Sequence, residues 1–526
     1  MRWLAGVLFL LACEAHRILL VFPVPTTSHI NLGHGFVRHL LNAGHHVTYI
    51  TPAPIKNPAE NLRQIDVSSN KLLFLPKQVL QLMLNIGNAT VMHRDVQRLV
   101  QDPKEEFDLV IVEWMFSELY CGLAAVFNCP LVWSSSMEPH ALVLSLIAED
   151  SNPAYVTGYR STAVPPFTFT QRVVELWKFL VDKLTSLKEA SVYEEAFSSA
   201  AAVRGRQLPS YYEVRYNGSL MFGNSHVSVG SAISLPQSYV PIAGYHIDED
   251  VKPLPKDLQN VMDNAKNGVI LFSMGSVLNS KTMPAALKQG LLEIFSQLKQ
   301  TVIWKLEESP ENLPKNVHIV SFAPQQSILS HPNCVLFITH GGLLSNTEAL
   351  HFGVPVIGIP VFADQFLNVD RAVQKGYAKR INLGHDMPKN LKEAIEDILG
   401  NPRLRGGNFF VRLLNSAIIQ NNVLFWIAIS CNNFVCASSY RARAAELSYV
   451  YHARAVPAAR ALQHWVELVV RTRGAPHLRS PALLLPFYQK MYLDLLALVF
   501  LIIGILYSLL KCALSRKTVD AKKKQN

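Results

Sequence analysis

Along this chain, short unbroken apolar runs are set apart by polar stretches of helical period. Arg17–Pro23 is such a run, Thr26–Asn31 a polar loop, and Leu32–Ala43 carries helical periodicity closed by Gly44 before the next run, His46–Thr51. Phe107–Val112, a helical Ser117–Phe127 and Pro130–Ser134 repeat the unit. Strands that are apolar without alternation belong to parallel sheets covered on both faces, and helices between them make βαβ units. Residues from about 140 to 215 read mainly as helices, with Trp177-Lys178-Phe179 and Tyr193–Ala200 on amphipathic patterns, and are expected to form a lid over this first domain. A Pro-rich bridge, Leu235–Pro255, leads to a second series of strands at Gly268–Met274, Val302–Leu306, His318–Ser321, Val335–Thr339 and Val354–Pro360. The prediction is an α/β protein of two facing doubly wound, Rossmann-like domains, 16–240 and 241–403, with a cleft between them.

Length agrees: 526 residues exceed what a single core holds. The formal charge of +10 raises the question of nucleic acid, but Lys511–Asn526 holds six Lys/Arg against one Asp and no aromatic–basic interleaving marks a binding face. A nucleic-acid partner is not expected. The seven cysteines form neither a disulfide framework nor a zinc spacing, and Cys121, Cys129 and Cys334 read as buried free thiols. Both ends point to a membrane. Residues 1–15 have a basic start, an apolar run Trp3–Ala12 and the small-residue site Cys13-Glu14-Ala15, the form of a secretory signal peptide. Residues 493–511 are almost wholly apolar and long enough to span, followed by a basic tail, 512–526, on the cytosolic side. The tail's Lys522-Lys523-Lys524-Gln525-Asn526 is either a dilysine retrieval signal for the endoplasmic reticulum or a plain stop-transfer cluster. Asn88 and Asn217 head glycosylation sequons, which suit a lumenal body.

One segment breaks the pattern. Residues 404–439 hold no Asp, Glu or Lys and six asparagines, with an apolar run, Val423–Ile429, too short to cross a bilayer. They are expected to be an insertion without a role in the fold; a lineage-specific loop is the alternative. Residues 440–490 are expected to be helices that pack back on the first domain.

The chemistry concentrates in Phe322–Gln365, FAPQQSILSHPNCVLFITHGGLLSNTEALHFGVPVIGIPVFADQ. A strand ends on His340-Gly341-Gly342, a helix follows over Leu344–Phe352, and the next strand ends near Asp364-Gln365. Polar residues and glycines thus fall at the carboxyl ends of strands, where open α/β sheets bind ligands and a helix amino terminus meets phosphate. Ser273, Gly275 and Ser276 make a second turn of this kind. The block resembles the donor-binding signature of the UDP-glycosyltransferases. Trp465-Val466-Glu467 with Arg471–Ser480 (RTRGAPHLRS) is similar to the sequence before the membrane anchor in the animal, membrane-bound group, and the wording is arthropod-like.

The resemblance implies a fold of the GT-B type and transfer of a hexosyl group from a UDP-sugar to a small lipophilic acceptor, with inversion at the anomeric carbon. UDP-glucose is favoured over UDP-glucuronate as donor. It implies His29 as general base, in the loop after the first strand, and a carboxylate to orient it; Glu113 stands where the family usually has Asp. His340 and Ser345 would contact the diphosphate, with Ser273, Gly275, Ser276 and Gly342 around it. Glu348 would hold the ribose, Asp364 and Gln365 the sugar hydroxyls, and Asn346 completes the donor set. Phe322 replaces the family's uracil-stacking Trp, beside Ala323 and Gln325. No metal and no cofactor beyond the UDP-sugar co-substrate is expected, and the body is expected in the lumen of the endoplasmic reticulum on a single-pass anchor. Homo- or hetero-oligomers stay open. The alternative function is a catalytically impaired UDP-sugar-binding paralogue acting as a regulatory or structural partner. It is motivated by Glu113, Phe322, Ala453 in place of a usual Asp, and the insertion.

Overall fold

A computed structural model describes residues 15–73, 79–148, 151–159, 161, 163, 165–185, 189–248, 250–275, 283–399 and 439–523. The first fourteen residues of the predicted signal peptide, Ser276, and residues 404–438 of the predicted insertion lie outside the described residues.

Two parallel sheets carry the fold. The first contains β1 (Arg17–Val21), β2 (His46–Thr51), β3 (Leu62–Asp66), β4 (Leu109–Trp114), β5 (Leu131–Ser135), β6 (Gly218–Gly223) and β7 (Tyr239–Pro241), in the order β3-β2-β1-β4-β5-β6-β7. The second contains β8 (Val269–Ser273), β9 (Thr301–Lys305), β10 (Val317–Val320), β11 (Cys334–Thr339), β12 (Val356–Gly358) and β13 (Ala378–Arg380), in the order β10-β9-β8-β11-β12-β13. Each sheet therefore reverses its strand order once, between β1 and β4 and between β8 and β11. Every residue of β4, β5, β6 and β8 is buried, as expected for strands with helices on both faces. These two Rossmann-like lobes are the architecture that the apolar runs predict.

Several boundaries move. The first helix, α1, spans Thr27–Asn42, so His29 lies in its first turn and not in a loop. Gly33 and Gly35 mask its period, and packing is the reason for both. A Cβ at Gly33 would sit 2.1 Å from the Tyr49 hydroxyl, and one at Gly35 3.0 Å from the Tyr245 ring. Glu113 lies inside β4, not after it. The Leu235–Pro255 bridge opens with the edge strand β7. Ser439, assigned to the insertion, is 5% exposed and caps the helix Tyr440–His452, its hydroxyl accepting the Ala442 N–H at 3.0 Å. The apolar carboxyl-terminal helix, Leu493–Lys523, runs on through most of the basic tail; its Leu493–Cys512 stretch is long and apolar enough to cross a membrane, and none of that stretch packs inside the protein.

After Tyr440–His452, which packs in the second lobe, the chain crosses back. The helix Ala458–Arg471 buries Leu462, Val466 and Val469 with Phe36 and Leu40 of the first lobe, and Gln463 donates to the His39 carbonyl at 3.1 Å. Both crossings meet at one point: the Tyr451 hydroxyl and Arg454 Nη2 donate to the Ala243 carbonyl at 3.0 and 2.9 Å. Gly244 next to it has φ +91°, and a Cβ there would lie 1.6 Å from the Tyr451 hydroxyl.

Candidate active site

The carboxyl ends of the two sheets face one another across a cleft of about 1810 Å³. Its functional groups come from the strands that flank each reversal of order, where doubly wound sheets place ligands. β1 leads into α1 and His29, and β4 carries Glu113; β8 leads to Gly275, and β11 to His340.

His29 and Glu113 meet. His29 Nδ1 lies 2.5 Å from Glu113 Oε1, with the two side chains 12% and 0% exposed. A carboxylate accepts only, so Nδ1 carries the proton of the neutral ring and Nε2 is left for the cleft. Burial lowers the His29 pKa, but the charge and hydrogen bond of Glu113, helped by Asp364, outweigh it and leave the pKa above the ordinary histidine value.

On the donor side, His340 is held between two glycines. A Cβ at Gly275 or at Gly342 would each lie 2.6 Å from its ring, so both positions exclude a side chain. Burial, then Lys305, pushes the His340 pKa down to about 4, so the ring is neutral and offers a hydrogen bond without charge. Gly342 caps the helix Leu343–His351, whose first amides open on the cleft beside Ser345. Gln325 Nε2 donates to Glu348 Oε2 at 2.7 Å and to Ser345 Oγ at 3.3 Å. This ties three of the expected donor groups into one cluster. Phe322 lies on the cleft wall and is 75% exposed, which leaves a ring face for a base, and Ala323 lies next to it on the same wall.

Asp364 precedes the helix Gln365–Gln374. Burial raises its pKa against the opposing pull of Asn368, its own backbone, His29 and Arg371. Gln365 is fixed in one orientation: Oε1 accepts the Val361 and Phe362 N–H groups at 2.9 and 3.1 Å, so its amide nitrogen is what remains for a ligand. Ser273 ends β8 in the cleft, and its hydroxyl accepts the Gly275 N–H at 3.4 Å.

One expected donor residue stands apart. Asn346 is 1% exposed, donates to the Gly341 carbonyl at 3.4 Å and does not line the cleft. Ser345 and Glu348, three apart, share the cleft face of the helix, and Asn346 is turned about 100° away from Ser345. The two sequon asparagines are both exposed, Asn88 within the helix Val79–Val91 and Asn217 before β6, where its side-chain oxygen accepts from Arg479.

Three cleft residues escaped the sequence reading. Lys305 ends β9 and donates to the Gly275 carbonyl at 2.7 Å. His246, from the segment linking the lobes, has its Nε2 3.3 Å from Glu348 Oε1. Ser136 follows β5 and hydrogen-bonds Glu113. The positions of Lys305 and Ser136 at the carboxyl ends of strands were usable signals.

Comparison with known proteins places the chain in a family. The family profile described as "UDP-glucoronosyl and UDP-glucosyl transferase" matches residues 55–407 and 427–525 and passes over the stretch between, which falls within the predicted insertion. UDP-glucosyltransferase 2 of Dactylopius coccus is 30% identical over 91% of this chain and 89% of its own length. A UDP-glucuronosyltransferase of Pleuronectes platessa is 29% identical over 78% of each chain. Among solved structures, the calicheamicin glycosyltransferase CalG4 superposes with a TM-score of 0.55 at 16% identity, covering 87% of this chain and 99% of that one. Phytolacca americana UGT2, solved with UDP-2-fluoro-glucose and pterostilbene, superposes with a TM-score of 0.51 at 16% identity, covering 77% and 94%. At such identity these two speak for the GT-B fold. The profile and the curated relatives go further: this chain is a UDP-glycosyltransferase of the UDP-glucuronosyl and UDP-glucosyl transferase family.

Proposed function

We propose that the protein transfers glucose from UDP-glucose to a hydroxyl of a small lipophilic acceptor, with inversion and with His29 as general base. The observation that carries this reading is the His29–Glu113 pair on the wall of a cleft whose other wall bears Asp364 and Gln365. The acceptor proton passes to His29 Nε2 as the acceptor oxygen attacks the anomeric carbon. The bond from that carbon to the UDP oxygen breaks, and the diphosphate leaves with the bonding pair. Glu113 stabilises the imidazolium, the orienting role of a triad acid. The Gly342 helix start, Ser345, Ser273 and Lys305 supply donors to the leaving diphosphate. Phe322 offers the uracil a stacking face, Glu348 the ribose hydroxyls their acceptor, and Asp364 and Gln365 orient the sugar. The acceptor side of the cleft has an apolar wall that includes Leu80, Met83, Met115, Phe116 and Tyr159.

The name of the Dactylopius relative supports UDP-glucose as donor. The spanning length of Leu493–Cys512, with its following lysines, supports a single-pass anchor and a body in the lumen of the endoplasmic reticulum. Of the four departures behind the impaired-paralogue alternative, Glu113, Phe322, Ala453 and the insertion, the first stands at hydrogen-bond distance from His29.

Microsomes holding the full chain, given tritiated UDP-glucose or UDP-glucuronate and a panel of phenols, test the proposal. Glucosyl transfer that disappears in His29→Ala is expected. UDP-sugar binding without transfer by the unaltered chain would sink it.

A further inference from the structure

A glutamate in the orienting position has one more rotatable bond than an aspartate, so something must hold its carboxylate. In this chain Oε2 of Glu113 is buried and has no hydrogen-bond partner among the described residues. The grip therefore falls on Oε1 alone, which lies 2.5 Å from His29 Nδ1 and 2.6 Å from the hydroxyl of Ser136. The Ser136 Oγ is itself 3.3 Å from His29 Nδ1, so the three groups close a triangle.

Ser136 is well placed for this by its own surroundings. It is the first residue after β5, and β5 pairs with β4 so that Glu113 lies opposite Ser134. The turn that presents it is pinned on both sides: the Ser135 hydroxyl donates to the Met137 carbonyl at 3.2 Å and accepts the Met137 N–H at 3.3 Å. Asn224 Nδ2 donates to the Ser136 carbonyl at 3.3 Å. The backbone is thus fixed independently of the hydroxyl, which is free to serve the carboxylate.

We propose that Ser136 is a positioning residue of the transfer reaction: its hydroxyl locks the Glu113 carboxylate so that Oε1 stays on His29 Nδ1 and the ring keeps Nε2 toward the acceptor. The lock has a second effect. Two donors share one oxygen, so Ser136 draws off part of the negative charge that would otherwise act on His29 alone. The other groups around the pair do not change this sign. Asp364 faces His29 from the donor side, and the Tyr49 and Tyr245 phenols near Glu113 are held neutral by burial. This inference rests on His29 being the base, and the experiment separates the two.

In the full chain, selectively labelled at histidine, the His29 ring is titrated by NMR, with its signal assigned by its loss in His29→Gln. Ser136→Ala is expected to move the His29 titration upward by a few tenths of a pH unit and Ser136→Thr to restore it. Glucosyl transfer from UDP-glucose to 2-naphthol is expected to fall about tenfold in kcat in Ser136→Ala, with the donor KM unchanged and with recovery in Ser136→Thr. An unmoved titration in a folded Ser136→Ala chain overturns the proposal, as does a loss of kcat that Ser136→Thr does not repair. Transfer that persists in His29→Gln would instead remove the base assignment, while the titration would still decide whether Ser136 governs the pair.

Discussion

His246 lies in the segment that links the lobes, and its Nε2 stands 3.3 Å from Oε1 of Glu348 in the second lobe without the alignment of a hydrogen bond. Glu348 is the proposed ribose acceptor, and its other contacts, Gln325 and Gln326, come from its own lobe. Among the described residues, the contact from His246 thus ties the proposed ribose acceptor to the segment between the lobes. His246→Phe removes it while keeping bulk. The donor KM is expected to rise roughly fivefold, about 1 kcal/mol, with little change in kcat. Initial rates at varied UDP-glucose check this; an unchanged donor KM would detach His246 from the donor site.

Glu113→Gln keeps the shape of the side chain and removes its charge. A base must be unprotonated to act, so transfer climbs as pH rises through the His29 pKa, which Glu113 holds above about 6.5. Without that charge, the lowering by burial is no longer outweighed and the acid limb of kcat/KM moves to lower pH. Plateau kcat is expected to drop on the order of 10²–10⁴-fold, because the ring loses its orienting acid. The same shift has a stability side. A raised histidine pKa stabilises the fold fully below about pH 6.5 and less as pH climbs through the raised value. Thermal melts of the variant should therefore show a larger deficit at pH 5.5 than at pH 9.

Gln365→Glu tests the fixed amide. A carboxylate oxygen can still accept the Val361 and Phe362 N–H groups, but the donor that Gln365 leaves for a ligand is gone. The fold should survive with an unchanged melting temperature. kcat/KM for UDP-glucose should fall roughly 10- to 100-fold, the cost of one lost bond to a buried polar group. UDP, which has no sugar, should bind as before by calorimetry, and loss of UDP binding would count against the assignment.

The predicted insertion can be excised in two ways. Joining Arg403 to Ser439 removes residues 404–438 and keeps the cap on the helix Tyr440–His452; this chain is expected to retain transfer. Joining Arg403 to Tyr440 also removes the cap and is expected to be less stable by about 1 kcal/mol, read as a lower melting temperature. Loss of transfer in the first variant would make the segment a working part of the protein.

The apolar runs made most of both sheets legible, because strands buried on both faces leave no alternation to confuse. The interior strand β6 and the edge strands β3, β7 and β13 were not read: Gly218–Gly223 is closed by a glycine at each end, Leu62–Asp66 holds only two apolar residues, and the other two are three residues long. Chemistry was legible where it sits at strand ends and beside glycines, as with His340 and Gly275. It was not where tertiary packing alone brings a side chain in. His246 reaches the cleft from a segment with no local pattern, Ser136 stands directly after β5 beyond where the apolar run ends, and Asn346 was grouped with its neighbours by sequence position although it does not line the cleft. Ser439 carried a recognisable capping signal, a serine directly before a helix, but composition placed it with the asparagine-rich segment.

Both strokes of chain between the lobes pass Ala243, whose carbonyl takes Tyr451 and Arg454 from the returning segment. Two tethers fastened at one spot act as a single pivot. Any movement of one lobe against the other would then be a swing about Ala243 and not a slide, and would carry Asp364 toward or away from His29 along an arc.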